Sequence, residues 1–212
     1  MFEHSVPSAD VDRDLYPEEM ALVRNAVDRR RQEFAAGRKC ARLAMMRLGV
    51  SPAALLARDD RSAAWPAELR GSISHTKGFC GVAVARSRDI AGLGFDVEPA
   101  EPLPPDVWRV VLTGNERAAL SQLGPEEGGR LARLAFTAKE AYYKCHHSAG
   151  GGWLDFHDVE LSIVADRIVG IAALRPLPGE VARVETRCAM IGSHLCAAVV
   201  MLPRSGIPTV YC

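Results

Sequence analysis

The chain has 212 residues, 48% apolar and 25% charged, which is ordinary for a globular protein and gives room for one large domain or two small packed lobes. Its 26 basic residues balance 26 acidic ones, so a bulk polyanion such as nucleic acid is not an indicated partner. No run approaches the roughly 20 apolar residues that cross a membrane, Glu3, Asp10 and Asp12 stand where a secretory signal would be basic and then apolar, and Cys40, Cys80, Cys145, Cys188, Cys196 and Cys212 are scattered without a C-x-x-C pair. A cytoplasmic protein with reduced thiols and no structural zinc is the expectation.

In chain order, residues 1–16 read as a loose polar arm. Pro17, Glu18 and Glu19 suit the start of a helix that carries Met20, Val23 and Val27 at helical spacing. A second helix is expected from Arg30 to Leu48, with Phe34, Ala41, Leu43, Ala44, Met45 and Leu48 on its buried side and Gly49 ending it. Ser51-Pro52 predicts a short helix through Leu56. Strands follow at about Gly71–Ser74, Cys80–Ala85 and Ala91–Glu98, and their short connections favour an antiparallel sheet. Pro99, Pro102, Pro104 and Pro105 have the composition of a hinge.

Beyond that hinge the order repeats. Thr113-Gly-Asn-Glu116 is a capping box, Leu131 to His146 is helical, and strands are expected at Val159–Ile163, Ile168–Leu174, Val181–Met190 and Leu195–Met201, with a short loop from Pro203. Helices then a sheet, twice, predict an α+β fold of two pseudo-symmetric lobes, residues 1–101 and 102–212, each packing helices on a mainly antiparallel sheet. A ligand cleft is expected between them.

Three stretches can carry chemistry. In Gly92-Leu93-Gly94-Phe95-Asp96-Val97-Glu98 the alternation of a strand puts Asp96 and Glu98 on one face and Phe95 and Val97 on the other. Two carboxylates on a mostly apolar strand suit either Mg²⁺ or a solvated edge that discourages pairing. In Thr137-Ala-Lys139-Glu140-Ala-Tyr-Tyr-Lys144, Glu140 and Lys144 share a helix face with Lys139 about 100° to one side, which fits a third metal ligand with phosphate-binding lysines, or a capping box with a surface ion pair. Ser74, His75, Thr76 and Lys77 lie where one strand turns into the next and offer donors to phosphate oxygens. Arg29, Arg30, Arg31, Arg38, Lys39 and Arg42 against Asp28 and Glu33 make a local basic surface fit for a small anion.

Together these segments resemble the phosphopantetheinyl transferases of the surfactin and enterobactin synthetase type. The likeness rests on Gly94-Phe95-Asp96-Val97-Glu98-Pro99 and, about 40 residues on, Phe136-Thr-Ala-Lys139-Glu140-Ala141-x-x-Lys144. Arg30-Arg31-x-Glu33-Phe34-x-x-Gly37-Arg38, Trp65-Pro66 and Gly71-Ser72-Ile73-Ser74-His75-x-x-Gly78 support it in order.

The resemblance implies Mg²⁺-dependent transfer of 4′-phosphopantetheine from coenzyme A to a serine of an apo acyl or peptidyl carrier protein, in polyketide, nonribosomal peptide or siderophore synthesis, by a monomer. It implies Asp96, Glu98 and Glu140 as metal ligands. Asp96, Glu140 and Lys144 are the implied catalytic groups, with Glu140 as base. Ser74, His75, Thr76, Lys139 and Lys144 are the implied phosphate contacts, and Arg30 and Arg38 face the 3′-phosphate.

Two features fit less closely: Asp59 and Asp60 precede Arg61 where some members carry a basic residue before Trp-Pro, and Trp153-Leu-Asp-Phe156 matches loosely. The alternatives are a Mg²⁺-dependent phosphohydrolase acting on a nucleotide and a non-catalytic coenzyme A binding protein. The carrier is expected near Pro102–Trp108 with Val110, Val111 and Leu112 exposed.

Overall fold

The computed structural model describes residues 1–7, 10–164, 167–175 and 181–203. The first sheet has the order β1–β3–β2, formed by β1 (Phe2–Ser5), β2 (Leu69–Thr76) and β3 (Phe79–Arg86), all antiparallel. The N-terminal segment is thus not a loose arm. It pairs Phe2 with Ala83 and Glu3 with Val82, and a short helix α1 (Val11–Asp14) follows it. Its polar side chains hid a strand whose stability comes from the ladder rather than from its own apolar pattern.

The long helix α3 (Asp28–Arg47) lies on this sheet, and α2 (Pro17–Val23) packs on α3 through Met20 and Val23. One side of α3 is built from small residues, so Cys40, Ala41, Ala44 and Met45 pack directly on Val82, Val84, Leu69 and Leu55. Gly49, at φ +69°, ends α3, as its freedom in the left-handed region allows. Residues 51–56 are not helical; Leu55 N–H donates to the buried Glu19 carboxylate (2.8 Å), and that tertiary bond replaces the expected local one.

β4 (Gly92–Pro99) leaves the first sheet and pairs with β8 (His194–Pro203), whose other neighbour is β7 (Val181–Ile191). The carboxylate strand, grouped by sequence with residues 1–101, therefore completes the sheet of the second half. Between them come α4 (Trp108–Val111), α5 (Gly114–Leu120), α6 (Pro125–Ser148), a 3₁₀ turn (Phe156–Asp158) and the hairpin of β5 (Val159–Val164) and β6 (Arg167–Ala173). The Thr113/Glu116 capping box forms as its spacing requires. The loop expected after Pro203 lies outside the described residues.

Leu93, Phe95 and Val97 of β4 face a core shared with Phe79, Ala83 and Cys196. The alternate residues meet α6. A Cβ on Gly92 would stand 2.6 Å from the Cys145 carbonyl oxygen, and one on Gly94 only 1.8 Å from that of Ala141. Four residues of helix rise about 6 Å and two of strand about 6.6 Å. The helix therefore runs along the strand one turn per two residues, which carries Arg133 to Glu98 (3.5 Å) two steps further on.

The glycines leave room for this backbone, not for a ligand. Gly94→Ala is expected to destabilise the protein by about 3 kcal/mol or more, the upper range for overpacking. Urea unfolding measures it, and an unchanged midpoint would refute the close approach.

Candidate active site

Asp96 is 4% exposed. Its Oδ1 accepts hydrogen bonds from Lys144 Nζ (2.7 Å) and Ser74 Oγ (2.7 Å), and Lys144 Nζ also donates to Ser74 Oγ (3.0 Å) and the Phe95 carbonyl (3.3 Å). One ion pair thus joins β2, β4 and α6. Asp96 Oδ2 is buried with no hydrogen-bond partner. Glu98 and Glu140 both have carboxyls held above their ordinary range, first by burial and then by repulsion from Asp96. Glu140 is therefore within electrostatic reach of Asp96 across the β4–α6 contact.

Among the described residues no three His, Cys, Asp or Glu side chains converge closely enough in this conformation to hold a metal. The donor set nevertheless fits a hard dication: an orphaned carboxylate oxygen and two flanking carboxyls that repel it are what a cation relieves.

Beside the ion pair opens a cavity of about 550 Å³ between α3, β2, residues 58–65 and the C-terminal half of α6. Arg30, Arg38, Arg58, Arg61, Arg70 and Lys144 line it, against Glu33 and Asp60, so its field favours anions. Arg38 forms the inner wall: its Nε donates to the Leu55 carbonyl (3.1 Å), its guanidinium lies 3.8 Å from the Phe34 ring centroid, and burial lowers its pKa to about 10, which still leaves it charged at neutral pH. Arg30 Nη1 contacts His75 Nε2 at 2.7 Å, and His75 Nδ1 lies 3.4 Å from Glu33 Oε2.

Arg61 has a left-handed backbone (φ 67°) at the tip of the turn closed by the Ala57–Ala63 bridge. From there it lines the cavity. Asp60 in the same turn pairs with His147 of α6 (3.3 Å).

The structure thus brings together Arg30, Arg38, His75 and Lys144 around the cavity and Asp96, Glu98, Glu140 and Ser74 beside it. Thr76, at the end of β2, is half-buried opposite Phe79 and does not line the cavity. Lys139 goes elsewhere. It is 2% exposed, and its Nζ donates to Glu116 Oε2 (2.7 Å), the Val111 carbonyl (3.0 Å) and the Phe156 carbonyl (3.0 Å). The 100° that separates it from Glu140 turns it towards α4, α5 and the 3₁₀ turn rather than the phosphates.

Val111 and Leu112, expected at the surface, are buried in the core, and only Val110 is exposed (61%). Arg58 and Arg70 were missed. Arg58 lies in a run of mixed charge and Arg70 just outside the Gly71–Gly78 motif, and only the packing of β2 and its preceding turn against α6 gathers them.

Two family models match the chain: the 4′-phosphopantetheinyl transferase N-terminal domain over residues 18–85 and the 4′-phosphopantetheinyl transferase superfamily over residues 92–197. Among curated relatives, the chain is 42% identical over 153 residues to the 4′-phosphopantetheinyl transferase Svp of Streptomyces mobaraensis, an alignment covering 72% of this chain and 62% of that protein. It is 36% identical over 150 residues to PptT of Mycobacterium tuberculosis, covering 71% and 66% respectively. The chain thus spans slightly less than two-thirds of these relatives. Among solved structures, Thermotoga maritima holo-[acyl-carrier-protein] synthase is similar with a TM-score of 0.44 and 22% identity, over 54% of this chain and 65% of that one. The chain belongs to the 4′-phosphopantetheinyl transferase superfamily.

Lys139→Met strands the Glu116 carboxylate and is expected to cost about 3–5 kcal/mol in urea unfolding, whereas Lys139→Met with Glu116→Gln removes both charges and recovers a large part of it. Equal losses in the single and double variants would show that the pair is not the source.

Proposed function

We propose that the protein transfers 4′-phosphopantetheine from coenzyme A to a serine of an apo acyl or peptidyl carrier protein, releasing adenosine 3′,5′-bisphosphate, with Mg²⁺ held by Asp96, Glu98 and Glu140. The observation that carries this reading is the Lys144–Asp96 ion pair at the boundary between a cationic cavity and a carboxylate cluster. Coenzyme A needs both: a separate 3′-phosphate wants cations alone, and a pyrophosphate among carboxylates wants a metal. Family membership supports the same reading.

Arg30, Arg38 and His75 serve the 3′-phosphate, and Lys144, already at the carboxylates, serves the pyrophosphate. When bound, Mg²⁺ supplies positive charge that lets the carboxylates and the pyrophosphate share one site. Glu140 accepts the proton of the carrier serine directly or through a water. The serine oxygen then forms a bond to the β-phosphorus as the bond to the bridging oxygen breaks, and Lys144 stabilises the charge on the departing bisphosphate. Carriers of polyketide, nonribosomal peptide or siderophore synthesis are the substrates on this reading, served in the cytoplasm by a monomer. No helix among the described residues is long and apolar enough to cross a membrane.

Incubation with coenzyme A, Mg²⁺ and an apo carrier protein should add one phosphopantetheine to the carrier, read by intact mass. Chelation of the metal, or Asp96→Ala, should reduce the rate by about 10²-fold or more, the scale of losing a main electrostatic contributor. Failure with several unrelated carriers would overturn the reading, and release of inorganic phosphate without a carrier would indicate a phosphohydrolase instead.

A further inference from the structure

Glu33 is a buried carboxylate, 6% exposed, on the wall of a cavity otherwise built to hold anions. Its Oε1 accepts from Arg29 Nε (2.9 Å), and its Oε2 lies 3.4 Å from His75 Nδ1. On the other side of the imidazole, Arg30 Nη1 is 2.7 Å from Nε2. A guanidinium can only donate. Nε2 therefore accepts, the ring proton sits on Nδ1 facing Glu33, and His75 is neutral in the empty site.

The dianion of a phosphate monoester, the main form above about pH 6, has no proton to give at the same place. It competes with Nε2 for the Arg30 donor, and it can bond Nε2 only if that nitrogen carries a proton. We infer that Glu33 is a positioning residue: it holds His75 by Nδ1 so that, when an anion takes Arg30 away, Nε2 picks up one proton from solvent and becomes a cationic donor between a carboxylate and a phosphate. The only bond formed is the Nε2–H, its proton coming from a solvent hydronium or buffer acid; no heavy-atom bond changes. This rests on the coenzyme A reading and adds to it a role for Glu33 and a proton linkage.

The charged groups facing His75 are accounted for from each packed element. Glu33 of α3 favours the protonated ring, while Arg29 and Arg30 of α3 and Lys144 of α6 oppose it, as does burial, which is the largest effect. The empty-state pKa accordingly lies below the ordinary imidazole value. An arriving phosphate raises it, so protons are bound on complex formation. Between the two values the association constant falls by up to about tenfold per pH unit as pH rises, the slope of one linked proton.

The test is calorimetric titration of the full chain with adenosine 3′,5′-bisphosphate, without metal, at one pH near neutrality in two buffers of different ionisation enthalpy. Wild type should take up close to one proton more than His75→Gln, whose difference from wild type removes the ligand's own titration. Glu33→Gln should lower that uptake and weaken binding by about three- to tenfold at neutral pH, with a flatter pH profile, while Glu33→Asp restores part of both. Uptake in Glu33→Gln equal to wild type, or no uptake in wild type, would overturn the inference. Because Glu33 also pairs with Arg29, a thermal midpoint for each variant separates loss of fold from loss of linkage. Absence of any binding by wild type would instead overturn the coenzyme A reading on which this rests.

Discussion

The site depends on two backbones touching. At Gly94 the strand β4 comes so near the Ala141 carbonyl that no side chain fits between them, and at Gly92 the same holds for Cys145. Everything that gives Asp96 its chemistry follows from that distance. Lys144 is short of the strand unless α6 lies directly on it, and Glu140 feels Asp96 only from the same helix face. A helix seated on side chains would stand further off, near the usual spacing of about 10 Å between packed layers.

Two lysines five residues apart on α6 show how that seating divides labour. Lys139 and Lys144 belong to one helix and one motif, yet one is sealed in a pocket of three acceptors and the other stands between a carboxylate and a cavity. A buried ion pair is poor evidence of net stability, since desolvation offsets most of its attraction. Its value here is directional. Glu116 also accepts from the backbone N–H groups of Thr113 and Leu161, so Lys139 ties α6 to the start of α5 and to β5 at a fixed rotation. With that rotation set, the next residue, Glu140, faces β4.

The α+β class, the capping box at Thr113, the two-faced β4 and most strand positions were legible in the sequence, because each rests on local periodicity or local capping chemistry. What was not legible depended on pairing across the chain. The N-terminal strand exists because β3 has a free edge, and Leu55 lost its expected helix to a bond with Glu19, 36 residues away. Lys139 is the instructive case at the site: helical geometry already placed it 100° from Glu140, but only the positions of α4, α5 and the 3₁₀ turn decide what occupies that direction. Asp96, Glu140 and Lys144 could be gathered from motif order, whereas Arg58 and Arg70 could not, since neither belongs to one of the ordered motifs and only the fold brings them to the cavity.

The cavity poses a charge problem that the carboxylates partly solve. Six cations in about 550 Å³ repel one another, and burial adds a desolvation penalty that is visible in the lowered pKa of Arg38. The empty structure limits this by giving several of the six a local acceptor: Arg38 takes a backbone carbonyl and an aromatic face, Lys144 takes Asp96, and Arg30 takes a histidine nitrogen. These partners differ in how readily they are given up. The Leu55 carbonyl is fixed in the chain, so Arg38 is a permanent wall. The imidazole nitrogen is a weak neutral acceptor that any phosphate oxygen outcompetes, so Arg30 is the cation most easily released to an incoming anion. Lys144 lies between these cases, because its carboxylate partner is strong but has other demands on it from two neighbouring carboxyls. On the proposed coenzyme A reading, a cation entering among Asp96, Glu98 and Glu140 would loosen that hold, so that a metal and the phosphates would be cooperative rather than independent occupants of one electrostatic site.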